Sequence, residues 1–152
     1  MWKKIAISSI ALWAISLSFV GYRFYYGNAK TVDKRIEVSL ADEERELVLG
    51  EMRTLLKGLK GIIKGLANDD YTFVERSARS NGMEMAQDVN PALMMKLPKA
   101  FKSLGISVHE DFDILANNIH SMNSKQILMA LDKTMGKCVS CHQAYKVTLE
   151  EK

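Results

Sequence analysis

Cysteine, proline and tryptophan are scarce in this chain, with two residues of each. Two prolines leave room for long uninterrupted helices, because proline breaks helices. Dense clusters of β-branched and aromatic residues, which are typical of strands, are lacking over long stretches. Nearly half of the 152 residues are hydrophobic and about a quarter are charged, as in ordinary globular proteins. We therefore predict one mostly helical domain.

Acidic residues are lacking before Asp33. The basic start MWKK is followed by an uncharged run of 18 residues, Ile5 to Tyr22, then by Arg23 and an aromatic cluster at residues 24–26. This pattern predicts either a secretory signal peptide or an uncleaved membrane anchor. Because basic residues stay on the cytoplasmic side, both alternatives export the rest of the chain.

We assign residues 1–30 to this signal peptide or anchor, with Gly27-Asn28-Ala29 as a cleavage site if it is removed. Residues 31–152 are the predicted exported domain. The chain has 21 basic and 18 acidic residues, and four of the basic ones lie in residues 1–30. The exported domain is therefore nearly neutral, so we expect no nucleic-acid partner.

Apolar residues at helical spacing predict four amphipathic helices in the exported domain. Ser39 to Asp42 resembles a capping box and begins the first helix, which ends near Gly65 to Asn68. Asp69 or Asp70 caps the second helix, and residues 90–105 form a partly helical connection. Ser107 to Glu110 begins the third helix. Asn123 or Gln126 begins the last, whose apolar stripe includes Leu128, Leu131, Met135, Cys138, His142, Tyr145 and Leu149. These elements predict an all-α fold, an antiparallel four-helix bundle.

The only two cysteines form the motif CVSCH, Cys138 to His142. A disulfide would close a very small loop and stabilise little, and a thioredoxin-type pair needs a strand before the helix. A zinc site lacks a convincing fourth ligand. The motif C-x-x-C-H is the signature of c-type haem attachment. Cysteines three apart on a helix point to nearly the same side and reach both vinyl groups of one haem. His142 then brings an imidazole nitrogen to the iron.

A haem motif behind three amphipathic helices resembles the class II c-type cytochromes, the cytochrome c′ family, which are four-helix bundles. The last helix reads CVSCHQAYK, where the family pattern is CxxCHxxYR or close to it. The matching residues are Cys138, Cys141, His142 and Tyr145, and Lys146 replaces the usual arginine. The resemblance covers roughly Asp42 to Lys146.

The resemblance also implies roles for residues of the first helix. Arg45 would lie near a haem propionate, and Leu49 would take the distal position. Leucine cannot ligate iron, so the resemblance implies five-coordinate haem that binds nitric oxide or carbon monoxide. The alternative is Met52, one turn further along, as the sixth ligand of a low-spin electron carrier. In the family, an arginine lies beside the proximal face of the haem. Lys146 takes its place here, so the resemblance implies a change in the surroundings that tune His142.

Two further histidines are weaker ligand candidates. We interpret His109 as a surface residue in the first turn of a helix and His120 as a residue beside the apolar stripe. We expect one covalent haem c, with redox proteins of the periplasm or inner membrane as partners. The predicted functions are periplasmic electron transfer, gas binding, or both. No constellation of a general base and a substrate pocket is present, so we predict no enzyme. The resemblance also implies pairing of two copies through their first helices.

Overall fold

The computed structural model of the chain describes residues 2–26, 34–87 and 90–150. The chain divides into two compact units, Met1–Asp33 and Lys34–Lys152. The first unit contains helix α1, Trp2–Tyr26, in which every residue from 2 to 20 is exposed.

Among the described residues, Trp2–Val20 of α1 is long and apolar enough to cross a membrane, by length and composition. Signal sequences share both properties. The predicted apolar N-terminal helix is therefore confirmed, while its retention as an anchor or its removal as a signal stays a prediction. The cleavage site expected at residues 27–29 lies outside the described residues.

The second unit is mostly helical and contains a small sheet. Its helices are α2 (Asp42–Ala67), α3 (Tyr71–Arg79), α4 (Pro91–Lys96), α5 (Lys99–Asn118) and α6 (Ser124–Ala144), with short 3-10 turns at Met83–Ala86 and Ile119–Ser121. Strands β1 (Ile36–Leu40) and β2 (Tyr145–Leu149) pair in parallel.

Side-chain caps fix the starts of two predicted helices. The Asp70 carboxylate accepts a hydrogen bond from the backbone N–H of Phe73 at 2.8 Å, at the start of α3. Asn123 and Gln126 exchange side-chain to backbone hydrogen bonds of 3.0 and 2.8 Å at the start of α6. Such caps satisfy N–H groups that have no partner within the helix. Both predicted starts are confirmed.

The other two predicted starts are wrong. Ser39 lies in β1, where its hydroxyl is 3.2 Å from that of Thr148, and α2 begins three residues later. There the Glu44 carboxylate accepts from the Ala41 N–H at 3.0 Å. Ser107 lies inside α5, and its hydroxyl donates to the Leu104 carbonyl at 2.9 Å. A Ser hydroxyl that bonds back to the preceding turn is compatible with a helix interior.

The last helix ends earlier than its apolar stripe predicts. It stops at Ala144, because Tyr145 takes extended angles of φ −127° and ψ 152°. Tyr145 and Leu149 therefore belong to β2 and pair with Ile36 and Leu40 of β1. The fold is mostly helical, with this two-stranded sheet as a departure from the predicted all-α class.

Two apolar clusters form the core of the second unit. The helix pairs with the most extensive contact are α2 with α3, α3 with α5, and α5 with α6. One cluster lies among these helices: Leu59, Ile62, Val74, Ala78, Val108, Phe112, Leu115, Ala116, Ile119, Ile127 and Leu131. The second lies beside the sheet: Val38, Leu40, Val48, Leu93, Leu97 and Phe101. We call them the helical cluster and the strand cluster.

Replacing Gly58 by Ala should destabilise the fold. The added Cβ would lie 1.6 Å from Nδ2 of Asn81. Asn81 is fully buried, and its Nδ2 donates to the Leu55 carbonyl at 3.2 Å. Overpacking costs about 1–3 kcal/mol, against a gain of about 1 kcal/mol when Ala replaces Gly in a helix. Urea unfolding followed by circular dichroism should give a lower free energy of unfolding.

The matched control is Gly50→Ala in the same helix. Its nearest neighbour, Nη2 of Arg53, would lie 3.7 Å from the added Cβ, an ordinary contact. This substitution should raise the free energy of unfolding by about 0.5–1 kcal/mol. Equal effects of the two substitutions would contradict the packing of Asn81 against Gly58.

Candidate haem-binding site

The motif CVSCH occupies the last two turns of α6. Cys138 and Cys141 are both half-buried, and His142 is exposed. Cys138 packs against the helical cluster, whereas Cys141 packs against the strand cluster. The two thiols therefore lie where the two halves of the core meet.

A pocket between three helices is lined by Cys138, Cys141 and His142 of the motif. We call it the cysteine pocket, and its mostly apolar lining comes from α2 (Val48, Glu51, Met52, Leu55), α5 (Phe101, Leu104, Gly105, Val108, His109) and α6 (Lys137, Cys138, Cys141, His142). The space inside it is about 100 Å³, smaller than the roughly 300–1,000 Å³ of typical ligand pockets. A molecule of cofactor size would therefore lie partly outside it.

A second pocket adjoins the first at the sheet. This strand pocket is lined by Arg35, Leu49, Met52, Phe101, Cys141, His142, Tyr145, Lys146 and Val147. Four of these residues, Met52, Phe101, Cys141 and His142, also line the cysteine pocket. The two spaces thus run together along one side of α6.

Both cysteines are free thiols. Burial raises the pKa of the Cys138 thiol. Burial also raises the pKa of the Cys141 thiol, and the neighbouring Cys138 adds to the rise. Both shifts favour the neutral thiol over the thiolate.

The motif supplies three possible donor groups for a metal or a cofactor. Within residues 2–26, 34–87 and 90–150, no three His, Cys, Asp or Glu side chains are grouped to hold a metal ion, and structural zinc needs four such ligands. A c-type haem needs two thiols for its ring and one imidazole for its iron. Cys138, Cys141 and His142 supply that donor set beside an apolar wall. The residues present therefore fit this cofactor.

Both candidates on α2 line a pocket together with Cys141 and His142. Met52 lines both pockets with Cys141 and His142, whereas Leu49 lines the strand pocket alone. Arg45 lines neither pocket, and its guanidinium bonds to Glu46 at 3.3 Å.

The two candidates after the motif lie in β2. The Tyr145 ring packs edge-on against Phe101 with centroids 5.4 Å apart. The Lys146 ammonium forms an ion pair with the carboxylate of Glu37, its partner across the sheet. Both residues line the strand pocket with His142.

His109 is not the surface residue that the sequence indicates. Its exposed fraction is 3%, and it lines the cysteine pocket. Its Nδ1 lies 2.8 Å from the Asn81 carbonyl oxygen, and its Nε2 lies 2.9 Å from Oε1 of Glu51. The interpretation as a first-turn residue failed because α5 begins at Lys99, ten residues before His109. Its place three residues before the buried Phe112 is the sequence signal for its burial.

His120 stays outside the pockets. Its side chain is exposed, and its Nε2 lies 2.9 Å from Oε2 of Glu75. Sequence reasoning also missed Glu51, Phe101 and Arg35 as pocket residues. Phe101 was assigned to a connection, and the two charged residues have no local signature of their role.

Comparisons with protein-family models, with curated proteins and with solved structures give no match to this chain. The resemblance to the cytochrome c′ family therefore stays a prediction that depends on the residues of α2 and α6.

Stability should depend on pH through His109. Burial alone would lower the pKa of His109, but the hydrogen bonds that His109 donates to Glu51 and to the Asn81 backbone carbonyl, with the charge of Glu51, outweigh it and raise the pKa above 6.5. Protonated His109 therefore stabilises the folded state. This contribution is complete below about pH 6.5 and is lost as pH rises through the folded-state pKa. His109→Gln should lower the free energy of unfolding by about 1–3 kcal/mol at about pH 6 and by less at about pH 9.

Urea unfolding at both pH values measures this difference. The control is His120→Gln, which removes an exposed imidazole and should change stability by less than about 0.5 kcal/mol. If His109→Gln lowered the free energy of unfolding more at about pH 9 than at about pH 6, the buried histidine would be neutral in the folded state.

Proposed function

We propose that this chain is an exported monohaem c-type cytochrome, with haem bound covalently at Cys138 and Cys141 and with His142 as the proximal ligand. One observation carries the proposal. The motif CVSCH lies at the end of α6, where both thiols line an apolar pocket between three helices. When bound, haem supplies an iron that cycles between ferric and ferrous states and binds diatomic gases.

The state of the thiols supports covalent attachment. Each would add its S–H group across one vinyl C=C bond, so that sulfur bonds to one carbon and hydrogen to the other. This addition consumes no oxidant or reductant, but it requires reduced thiols. No disulfide joins Cys138 and Cys141, and their spacing on α6 places them on nearly the same side.

Position 49 supports an open sixth site on the iron. Leu49 lines the strand pocket with His142, and its side chain has no lone pair. With this residue distal, the iron would stay five-coordinate, and nitric oxide or carbon monoxide would bind there. Electron transfer to periplasmic or inner-membrane partners is compatible with the same site. No enzymatic activity is proposed.

Met52 favours a second candidate function, that of a low-spin electron carrier without gas binding. Its thioether is a known type of haem ligand, and it lines both pockets with Cys141 and His142. Packing against the strand cluster is its other role. The spectra below separate the two candidates.

The proposal includes an arrangement and a location. Helices α2, α3, α5 and α6 would form an antiparallel four-helix bundle of the cytochrome c′ type, to which α4 and the sheet are additions. The domain would lie in the periplasm, at the outer face of the inner membrane if α1 is retained as an anchor. Two copies would pair through α2, as the resemblance implies.

Covalent attachment of haem should require the thiols of the motif but not the proximal ligand. The full chain, matured in a host with c-type haem assembly, should gain the mass of one haem and show a haemochrome with pyridine. Cys138→Ser with Cys141→Ser should abolish the covalent mass, because no thioether can form. His142→Ala should keep the mass and change the absorption spectrum. Covalent haem in the double serine variant, or an unchanged spectrum of His142→Ala, would refute the assigned roles.

Carbon monoxide should report the sixth position of the iron. The ferrous protein should be high-spin, and its spectrum should shift promptly when carbon monoxide is added, because Leu49 leaves that position open. Leu49→Met should move the spectrum towards low spin, since a thioether can then ligate the iron. Met52→Leu is the matched comparison one turn away. If wild type is low-spin and Met52→Leu removes that signal, the electron-carrier candidate replaces the gas-binding one.

A further inference from the structure

A third pocket adjoins the cysteine pocket and is walled by α2, α4, α5 and the 3-10 turn at Met83–Ala86. We call it the α4 pocket. The residues that it shares with the cysteine pocket are Val48, Glu51, Phe101, Gly105 and His109. The motif residues Cys138 to His142, all of which the structure describes, lie outside its lining. The α4 pocket is therefore a separate space from the proposed haem site, behind a shared wall.

The size of the α4 pocket limits its ligand to a small molecule. The pocket contains about 170 Å³ of space, less than the roughly 300–1,000 Å³ of pockets that hold drug-sized ligands. An apolar cavity of about 150 Å³ binds benzene. A ligand that fills the α4 pocket therefore has a single ring of benzene size with a small substituent.

The apolar part of the lining suits an aromatic ring. Leu93 and Leu97 are buried there, and Met83, Met94 and Phe101 line the pocket with them. Thioether sulfur makes favourable contacts with the edge of an aromatic ring. Two aromatic rings that pack edge-on or offset gain free energy beyond that of their buried area. The two methionines and the phenylalanine therefore favour an aromatic ring over an aliphatic one of the same size.

Glu51 supplies an acceptor for a polar group of the ligand. Its Oε1 lies 2.9 Å from Nε2 of His109, whose Nδ1 lies 2.8 Å from the Asn81 carbonyl oxygen. Both imidazole nitrogens are thereby occupied. Oε2 of Glu51 has no hydrogen-bond partner in the part of the chain that the structure describes. A ligand that donates one hydrogen bond therefore finds a charged acceptor in this lining.

The charges in the lining select against ionic ligands. Lys102 lines the pocket and donates to the Met94 carbonyl at 2.9 Å, and no acidic side chain among the described residues pairs with it. An acid attracted to Lys102 would be repelled by Glu51, and an amine cation attracted to Glu51 would be repelled by Lys102. Transfer of an ion into an apolar pocket also costs more free energy than transfer of a hydroxyl. A neutral hydroxyl group therefore satisfies Oε2 with the least penalty.

We infer that the α4 pocket binds a neutral monocyclic aromatic alcohol of the phenol class. The ring packs against Met83, Met94 and Phe101, and the phenolic O–H donates to Oε2 of Glu51. Such an alcohol is uncharged in neutral solution, because a phenolic O–H ionises only near about pH 10. This binding goes beyond the proposed function and needs no haem, since the motif lies outside the lining.

Methionine methyl groups report where phenol binds. The full chain, with isotope-labelled methionine methyl groups assigned by single substitutions to leucine, is placed in phospholipid nanodiscs and titrated with phenol. Ring currents should shift the methyl resonances of Met83 and Met94 until the site is saturated. The resonance of Met52, which lines the cysteine pocket but not the α4 pocket, should stay unchanged. Met95 is 88% exposed and controls for contact at the surface.

Toluene tests the role of the hydroxyl, because it has nearly the same shape as phenol and no O–H. Free concentrations in water, corrected for uptake by protein-free nanodiscs, give the two dissociation constants. Phenol should bind at least about tenfold more tightly than toluene, the usual contribution of a charge-assisted hydrogen bond. Similar dissociation constants would show an apolar cavity in which Glu51 has no part, and would overturn the inference.

Glu51→Gln should remove this preference. His109 needs the single carbonyl oxygen of the glutamine amide, so the amide N–H group, a donor, takes the place of Oε2. Phenol should then bind about as weakly as toluene, whose own binding should change less than about twofold. Glu46→Gln is the matched control on the same helix, because Glu46 pairs with Arg45 and Arg53 and lies outside the lining. If Glu51→Gln does not fold, the comparison of phenol with toluene in wild type decides alone.

Other patterns of methyl shifts would also overturn the inference. Shifts confined to Met52 would place phenol in the cysteine pocket. Equal shifts of all methionines, Met95 included, would show contact at the surface alone. Absence of any saturable shift would show that the α4 pocket takes no phenol.

Discussion

The parallel pairing of β1 with β2 holds the two ends of the second unit together. Parallel strands need a long crossover, and here the crossover consists of all the helices from α2 to α6. The pairing continues past β2, where the Glu150 N–H donates to the Leu40 carbonyl at 3.0 Å. It also buries Val38 and Leu40 beneath α2 and the 91–101 segment. Without this pairing, the strand cluster and the residues that flank the end of α6 would lose their common support.

Between the two clusters, a polar network ties α2, α5 and the end of α3 to one another. The Asn81 side chain donates through Nδ2 to the Leu55 carbonyl, and the Asn81 backbone carbonyl accepts from His109. His109 in turn contacts Glu51. The Oδ1 atom of Asn81 is buried with no hydrogen-bond partner among the described residues, which costs free energy that the paired groups must offset. The paired groups link α2 to α5, and both helices line the cysteine pocket.

Sequence patterns predicted what depends on neighbouring residues and missed what depends on distant ones. Asp70 and Asn123 cap helices that follow them directly, so their roles were readable. The Ser107 pattern has the same local form, yet it lies inside α5, because helix growth from Lys99 needs no cap there. Strand β2 was missed because its apolar residues also continue the spacing of α6, while its partner β1 lies about a hundred residues earlier. The candidate site follows the same rule. The motif CVSCH is contiguous and can be read from the sequence, whereas the residues that line the pockets around it come from three helices and a strand.

The exposure of His142 matters for what the proposed cofactor needs from the fold. A cofactor held by its surroundings alone must be enclosed, because burial supplies its affinity. Two thioether bonds would remove that requirement, so a half-open pocket would suffice for the proposed haem. An open edge would favour electron exchange with a docked partner, and the apolar residues Met52 and Leu49 would control which ligands reach the iron. In the proposed protein, attachment would depend on α6, whereas the choice between gas binding and pure electron transfer would depend on one turn of α2. Substitutions could then change the two properties independently.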